Sequence, residues 1–406
     1  MTPLIDEVAG RVSKDMMDQR ILQELNQPGK EARLTALRTI AATATLPPTD
    51  PRYINNHIHT TYSFSPYSPT AAVYFARAAG LCTAGIMDHD SIGGAKEFLD
   101  AGTILGVPTT IGMECRVNMA GTPLAHRTTN NPDQSGVSYM TMHAVPHENI
   151  DVLQAAFAPL REKRNVRNRA MTQKIDAMLS PHGIRLDFDA DVLPLSQYAL
   201  GGSVTERHLM YALAHKIVSA AGRGEGTTVL LEKLGVTLLE KQKKLLLDTG
   251  YLFYDYDLLG ILKSAFVPLV FIPATDECLP LTEAVKLAND VGAIFCYAYL
   301  GDVADSVTGD KKAQKFEDDY LDELFGVLKD YNVRAVTYMP PRNTRAQLDR
   351  LRALCKTYGM FEISGEDINS PRQDFVCKAM EDPQFSNLIN ATWALIAHER
   401  GEKKIL

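Results

Sequence analysis

The sequence predicts an α/β fold in which a parallel sheet closes into a barrel. Strands alternate with helices over residues 51–150 and again over 266–406, a helix-rich stretch at 151–265 separates them, and polar side chains recur where the strands end. Alternating strands and helices are typical of a parallel sheet. The seven or eight strands that can be counted in this order fit a closed barrel better than an open sheet.

Length, composition and charge narrow the class of protein. A chain of 406 residues accommodates one large domain with an insertion, or two domains. With 45% hydrophobic and 22% charged residues, the composition is that of an ordinary globular protein. The formal net charge of -7 argues against nucleic acid as a partner, because binding to a phosphate backbone requires a basic surface.

The cysteines and the hydropathy of the chain indicate in which cellular compartment the protein is expected. The six cysteines are scattered and form no Cys-x-x-Cys motif, which indicates a reducing environment and no disulfide framework. Asp6 and Glu7 stand where a secretory peptide would carry its apolar core. No uncharged apolar run approaches the roughly 18 residues that a membrane-spanning helix needs. We therefore expect a cytoplasmic protein without a membrane partner.

The first part of the chain, residues 1–50, is predicted to be a helical leader packed on the outside of the barrel. Its hydrophobic residues recur at helical spacing on one stripe: Leu22, Leu25, Leu34, Leu37 and Ile40. The first strand begins at Tyr53, and a helix over 69–79 opens with Ser68 as its cap and Pro69 at its first position. The next predicted elements are strands over 82–87, 108–117 and 137–145 and a helix over 94–105.

Residues 151–265 are predicted to be a helical insertion that caps the mouth of the barrel. Its predicted helices cover 153–179 (with an interruption at Pro159), 205–221 and 229–246. A basic run from Arg161 to Arg169 is most simply a solvated helix face; the alternative is that one or two of its arginines reach a phosphate. The barrel resumes with predicted strands over 266–272, 293–297, 333–338 and 360–364.

Polar side chains at the predicted strand ends indicate a metal site. His57 and His59 lie one residue apart on the first strand, so they point to the same face. Imidazole is the commonest metal-binding side chain. In a β/α barrel the carboxyl ends of the strands converge on one face, where catalytic groups gather. The other polar residues at these ends are Asp88, His89, Glu114, His143, Asp367 and Asn369.

In their order along the chain, these motifs resemble those of the polymerase and histidinol phosphatase (PHP) family. The resemblance covers residues 53–145 and 266–372. It is carried by His57-x-His59, Asp88-His89-Asp90, Gly112-Met113-Glu114, His143 and Gly365-Glu366-Asp367. It implies a distorted seven-stranded β/α barrel that binds divalent metals and, in most members, hydrolyses phosphate esters. The insertion is similar to that of the family's phosphoesterase branch, where an arginine-rich helix and a Gly-Gly-x-x-x-x-Arg-His pattern (here Gly201 to His208) lie over the substrate.

Carried over residue by residue, the resemblance implies three metal sites. They would be a first on His57, His59, Glu114 and Asp367, a second on Glu114 with His143, and a third on His89. The chain departs from the family at three ligand positions, which are occupied here by Phe64, Tyr297 and Asn369. We therefore expect one or two divalent metals and a lost third site. Mixed nitrogen and oxygen ligands suit Zn, Mn or Fe without choosing among them.

The implied reaction is hydrolysis of the phosphate ester of a small metabolite by a metal-activated water. Asp88 or His89 would assist proton transfer. Arg207 and His208 fall in the first turn of a predicted helix, where free backbone N–H groups favour anions, so they are candidate substrate-binding residues. Arg342 and Arg372, in loops that follow strands, are two further candidates.

Two other functions are compatible with the sequence. A β/α barrel with His-x-His and a final strand-end Asp is also similar to amidohydrolases, which cleave C–N or C–O bonds, although the lysine that usually bridges their metals is missing here. The substitutions at Phe64, Tyr297 and Asn369 would also suit a barrel that binds a ligand or partner without turnover. The substrate and the oligomeric state are not specified by the sequence.

Overall fold

The computed structural model describes residues 18–303 and 314–405 of the chain. Its strands are β1 (Asp50–Ile58), β2 (Leu81–His89), β3 (Thr109–Asn118), β4 (Val137–His143), β5 (Leu279–Pro280), β6 (Ile294–Ala298), β7 (Ala335–Tyr338) and β8 (Phe361–Ser364). They form one curved sheet in the order β1-β2-β3-β4-β6-β7-β8, and the short β5 pairs with β3. This barrel-shaped sheet surrounded by helices confirms the predicted fold class.

The two edges of the sheet nearly meet and close the barrel. Just after β8, Ile368 forms an isolated parallel bridge with Ile58 of β1. The backbone N–H of His59 donates to the carbonyl of Ile368 (2.9 Å), whose own N–H donates to the carbonyl of His57 (3.1 Å). The first histidine pair therefore lies at the seam of the barrel, beside the segment that carries Asp367.

One strand departs from the predicted parallel order. β4 is antiparallel to both of its neighbours, β3 and β6. Residues 119–136, which connect β3 to β4, contain no helix, and a parallel return needs a long crossover that is usually helical. The prediction of a fully parallel sheet is wrong here. As a result His143, at the end of β4, lies opposite Gly112 and so deeper in the barrel than Glu114.

The described helices surround this sheet. They are residues 18–25 (α1), α2 (Lys30–Thr43), α3 (Pro69–Ala78), α4 (Ala95–Leu105), α5 (Ile150–Leu179), α6 (Glu206–Ala221), α7 (Glu225–Lys233), α8 (Glu240–Leu247), α9 (Tyr254–Val270), α10 (Leu281–Asp290), α11 (Leu321–Asp330), α12 (Arg345–Tyr358) and α13 (Ser386–Glu399). Within this described part of the chain, no helix is both long enough and apolar enough to cross a membrane.

The leader packs on the barrel through α1 and α2; its residues 1–17 lie outside the described residues. Leu25 and Leu37 are fully buried in the same hydrophobic cluster as the barrel strands. Arg33 adds a buried ion pair, because its Nε and Nη2 donate to the two oxygens of Glu97 in α4 at 2.8 and 2.5 Å. This two-point contact fixes the orientation of the leader against the barrel.

Two predictions about the helical stretch 151–265 are wrong. α5 is continuous through Pro159, because Phe157 and Leu160 continue one buried stripe past this exposed proline. The helix predicted over 229–246 is two helices, separated near Gly235, whose φ of +80° ends α7.

The strand predicted over 266–272 belongs to α9. The buried residues of this segment recur every three or four positions, as in Leu258, Leu262, Phe266 and Val270. A second hydrophobic cluster joins α5, α6 and α9, and Phe64 is the one barrel residue among its buried members. The limits proposed for the insertion, 151–265, stay a prediction, although its last helix continues to Val270.

Candidate metal centre

The seam of the barrel brings the first histidine pair to Asp367. The side-chain oxygen of Asn55 accepts from the backbone N–H groups of His57 (2.9 Å) and Glu366 (3.0 Å). Its amide nitrogen donates to the carbonyl of Glu366 at 3.0 Å. One buried amide therefore ties the two sides of the seam together, so that His59 on one side meets Asp367 on the other.

His57, His59 and Glu114 form a compact cluster of groups that can bind a metal. One ligand atom from each lies within 4.8 Å of the other two, and all three residues are buried. His57 Nε2 is 3.9 Å from Glu114 Oε2. His89 lies beside them, with its Nδ1 3.0 Å from the same oxygen. Residues from β1, β2 and β3 thus converge at one point.

Asp367 adjoins this cluster from the other side of the seam. Its Oδ1 is 3.1 Å from His59 Nε2, which is an ion-pair contact. Imidazole and carboxylate are both ligands that divalent metals such as Zn²⁺ accept. Asn369 donates to Asp367 Oδ1 at 2.6 Å and so orients the carboxylate.

The imidazole nitrogens supply the clearest sign of a missing positive charge. Among the described residues, Nε2 of His57, His59 and His143 is buried in each case without a hydrogen-bond partner. A buried polar atom without a partner costs about 1–3 kcal/mol, and two of these nitrogens belong to His57 and His59, whose ring centroids are 5.1 Å apart. A divalent cation would satisfy these lone pairs, so the donor set fits a metal.

The electrostatics of the cluster favour a neutral His57 and ionised carboxylates at Glu114 and Asp367. Burial lowers the pKa of His57, which favours the neutral, metal-binding form. Burial opposes ionisation of Glu114, but His89 and His57 outweigh it and hold its pKa below the usual value. Asp367 behaves likewise, because His59 overcomes burial and lowers its pKa far below the usual range. Burial lowers the pKa of His59, but Asp367 outweighs burial and raises it, so a proton would compete with a metal for this ring.

His143 lies near this cluster but outside the compact group. Burial and the neighbouring His57 lower its pKa to about 3, so its ring is neutral. Its Nε2 has no partner among the described residues. The hydroxyl of the buried Tyr297 accepts from the backbone N–H of Asn130 at 3.3 Å. The second metal site predicted on Glu114 and His143 stays a prediction.

Asp88 is occupied by hydrogen bonds within the barrel. Its carboxylate accepts from the backbone N–H and the hydroxyl of Thr60, at 2.7 and 2.6 Å, and from the hydroxyl of Ser63 at 2.6 Å. These contacts suit a residue that positions the loop after β1 better than one that transfers protons. Of the two residues predicted to assist catalysis, only His89 lines the cavity described next.

A cavity between the barrel and the insertion opens beside the cluster. It is lined on the barrel side by His59, Phe64, His89, Arg116, Asn131, Asp133, Tyr139 and Asn369, and on the other side by Arg164, Thr205, Glu206, Arg207, Lys263, Val267 and Phe271. Its wall is therefore rich in cationic side chains next to the candidate metal ligands. That combination suits a small ligand with an anionic group.

Three arginines of the basic run on α5, Arg161, Arg164 and Arg167, are buried, whereas Lys163 is exposed. Arg164 pairs with Asp90 and with Glu206, the latter at 2.9 Å. Arg167 pairs with Glu206 and with Glu277, the latter at 2.8 Å. Arg116 of β3 also pairs with both Glu206 and Glu277. We call these six residues, all buried except the partly exposed Glu206, the ion-pair network: Arg116, Arg164, Arg167, Asp90, Glu206 and Glu277.

Only one of the four predicted substrate-binding residues lines the cavity. Arg207 does so, and its closest recorded contact is a long one, 3.5 Å from Nη1 to the carbonyl of Asn369. His208 is buried behind it, where its Nδ1 accepts from the backbone N–H of Thr205 at 3.0 Å as a helix cap. Burial lowers its pKa to about 3, so it carries no charge for an anion.

The other two predicted arginines lie outside the cavity lining and have structural contacts. Arg342 donates from Nε to the carbonyl of Leu300 at 3.1 Å. Arg372 donates to both oxygens of Asp257 in α9 at 2.7 Å and lies over the ring of Tyr251. Arg372 therefore fastens the loop after β8 to the insertion, which explains why an arginine stands there.

Phe64 fastens the insertion to the barrel. Its ring packs against His208, Tyr211 and Tyr256, with centroid separations of 4.9, 5.5 and 5.4 Å. The loss of a third metal site stays a prediction.

Replacing Phe64 by leucine is expected to lower the free energy of unfolding by about 1–2 kcal/mol, because ring–ring contacts each contribute about 0.5–1.5 kcal/mol. Urea unfolding followed by circular dichroism measures this difference. Phe361, half-buried on the far barrel strand β8, is a suitable control position for the same exchange. A Phe64→Leu variant as stable as the wild type would show that the aromatic contacts do not fasten the insertion.

Several residues around the cavity were not found from the sequence. Glu206 and Glu277 are single acidic residues in unremarkable surroundings, and Arg116 follows Glu114 on a strand without any pattern of its own. Only the arginine spacing on α5, where Arg161, Arg164 and Arg167 recur every three residues, could have indicated one buried face. Ser63 and Thr60 carry no signal beyond their closeness to His59.

Comparison with known proteins supports the architecture. No protein-family model matches the chain, and no curated protein matches it significantly. Among solved structures it is similar to a provisionally described metal-dependent phosphoesterase from Bifidobacterium adolescentis, with 16% identity and a TM-score of 0.50, covering 82% of this chain and 96% of that one. It is also similar to an amidohydrolase from Chromobacterium violaceum with bound sulfate and no metal, again with 16% identity and a TM-score of 0.50, covering 80% and 90%. At this identity the two matches show a shared fold.

Proposed function

We propose that this protein is a metal-dependent hydrolase that cleaves a phosphate ester of a small metabolite. The observation that carries the proposal is the convergence of His57, His59 and Glu114 within 4.8 Å, with the Nε2 atoms of both histidines buried and without a hydrogen-bond partner in the described chain. The order of motifs along the chain, the barrel, and a neighbour described as a phosphoesterase add support.

The residues of the cluster would have separate roles in binding the metal and in transferring a proton. His57, His59, Glu114 and Asp367 would hold a Zn, Mn or Fe ion. When bound, the metal supplies Lewis acidity and lowers the pKa of a water molecule. Glu114 accepts from His89 Nδ1 and thereby leaves His89 Nε2 to exchange a proton with a molecule in the cavity. A second metal, on Glu114 and His143, is compatible with the unpartnered Nε2 of His143.

The phosphate would be recognised by cations of the cavity wall. Arg116 and Arg164 are already paired with carboxylates of the ion-pair network. Arg207 makes a long hydrogen bond to the carbonyl of Asn369, and Lys263 lines the same cavity. We therefore propose Arg207 as the main side chain that binds the phosphate.

The proposal predicts that activity depends on metal and on the phosphate ester. Protein stripped with a chelator should lose hydrolysis of p-nitrophenyl phosphate or of a metabolite phosphate panel, and Mn²⁺, Zn²⁺ or Fe²⁺ should restore it. Activity that survives complete metal removal, checked by elemental analysis, would contradict the proposal. Metal-dependent turnover of amides or lactones alone would favour the amidohydrolase alternative, for which the second neighbour is the specific observation.

A further inference from the structure

His59 would bind the proposed metal through Nε2, and its second nitrogen, Nδ1, has a partner of its own inside the barrel. The role inferred below for that partner rests on the proposed metal site. His59 Nδ1 lies 3.1 Å from Ser63 Oγ, and both residues are buried. Ser63 Oγ lies 2.6 Å from Asp88 Oδ1. The three side chains therefore form a chain of hydrogen bonds that begins at a carboxylate inside the barrel and ends at an imidazole of the candidate metal cluster.

The direction of each hydrogen bond follows from the number of protons available. A serine hydroxyl has one proton to donate. If Ser63 gave it to His59, the oxygens of Ser63 and Asp88 would face each other at 2.6 Å without a proton between them. Ser63 must therefore donate to Asp88 and accept from His59, which places a proton on His59 Nδ1.

Further hydrogen bonds fix the Asp88 carboxylate as the acceptor of the Ser63 proton. Asp88 is 1% exposed, and the backbone N–H and hydroxyl of Thr60 both donate to it, at 2.7 and 2.6 Å. The hydroxyl of Thr60 in turn accepts from the backbone N–H of Tyr62 at 3.2 Å, so its own proton is free for Asp88. Neither oxygen of Asp88 can rotate away from Ser63 without breaking these contacts.

We propose that Ser63 and Asp88 are positioning residues that fix His59 in the tautomer with its proton on Nδ1, so that Nε2 presents its lone pair to a divalent cation. An imidazole can bind a metal only through the nitrogen that lacks a proton. Partners of this kind orient the ring and increase its basicity, and losing one typically weakens metal binding about 10–100-fold.

The test is the Zn²⁺ affinity of metal-stripped protein, measured by competition with a chromophoric chelator. Ser63→Ala should bind Zn²⁺ about 10–100-fold more weakly than the wild type. Asp88→Asn, which keeps an oxygen for Ser63 but removes the charge, should show a smaller loss of at least several-fold. Ser203→Ala is the matched control, because Ser203 is equally buried and its hydroxyl has no partner in the described chain; its affinity should match the wild type.

The outcomes separate this inference from the proposed function. Wild-type protein that binds no Zn²⁺ would overturn the metal site itself. Tight binding by the wild type with unchanged affinity in folded Ser63→Ala, as checked by circular dichroism, would overturn only the positioning role. Should Ser63→Ala not fold, the isosteric Asp88→Asn decides, and an affinity equal to the wild type would then reject the role. Equal losses in Ser63→Ala and Ser203→Ala would also reject it, since any buried hydroxyl would then serve.

Discussion

Replacing Glu114 by glutamine is expected to reduce hydrolysis of the phosphate ester by more than about 100-fold, because even outer partners of a metal site contribute about 10–100-fold. The substitution keeps the shape of the side chain but removes the negative charge at the centre of the cluster. Glu114 Oε2 lies 3.9 Å from His57 Nε2 and 3.0 Å from His89 Nδ1. The change therefore weakens the cation site and releases His89 at the same time.

Activity and metal content of Glu114→Gln should fall together, as measured by steady-state kinetics and elemental analysis. Glu240→Gln, at an exposed position of α8, makes the same chemical change far from the cavity and should leave both unchanged. Full activity in Glu114→Gln would exclude this carboxylate as a metal ligand. If Glu114→Gln loses activity but keeps its metal content, then Glu114 orients His89 and does not hold the cation.

Replacing Glu277 by leucine is expected to lower the free energy of unfolding by about 3–5 kcal/mol, which is the usual cost of leaving a buried charge without its partner. Glu277 is 7% exposed and pairs with both Arg116 and Arg167. Its loss leaves three guanidinium groups, those of Arg116, Arg164 and Arg167, to share Glu206. Because the network joins β3 to α5 and α6, the insertion should also lose its fixed position over the cavity.

Urea unfolding of Glu277→Leu measures the loss, and Glu283→Leu, an exposed site on α10, controls for the change of residue type. The double variant Arg167→Met with Glu277→Leu should recover part of the stability, since it removes a charge from each side. A Glu277→Leu variant within about 1 kcal/mol of the wild type would mean that the network is solvated and does not fasten the insertion.

The sequence was most informative where a local pattern decides the structure. The order of strands and helices predicted the barrel, and the His-x-His pair, Glu114 and Asp367 do lie close together at its seam. Periodicity failed where two patterns compete: a short apolar run such as 266–272 suits a strand or a helix, and the preceding residues of α9 decide for the helix. The antiparallel β4 was missed because strand direction depends on what the connection contains.

The wall of the cavity was much harder to predict than the metal cluster. Arg164 and Arg167 looked like a solvated face, because the sequence does not show that Glu206 and Glu277 come to them from distant segments. Arg372 and His208 were expected at the substrate, yet one pairs with Asp257 and the other caps α6. The partners of the three arginines are far away in the chain, which a single sequence does not reveal, whereas His208 caps its own helix at Thr205.

The most direct test of the central claim is a crystal structure of the protein grown with Mn²⁺ or Zn²⁺, with anomalous diffraction recorded at the absorption edge of that metal. We predict an anomalous peak within bonding distance of His57 Nε2, His59 Nε2, Glu114 and Asp367. A peak located elsewhere, or no peak at saturating metal with these four side chains well ordered, would contradict the metal centre and the hydrolase function that rests on it.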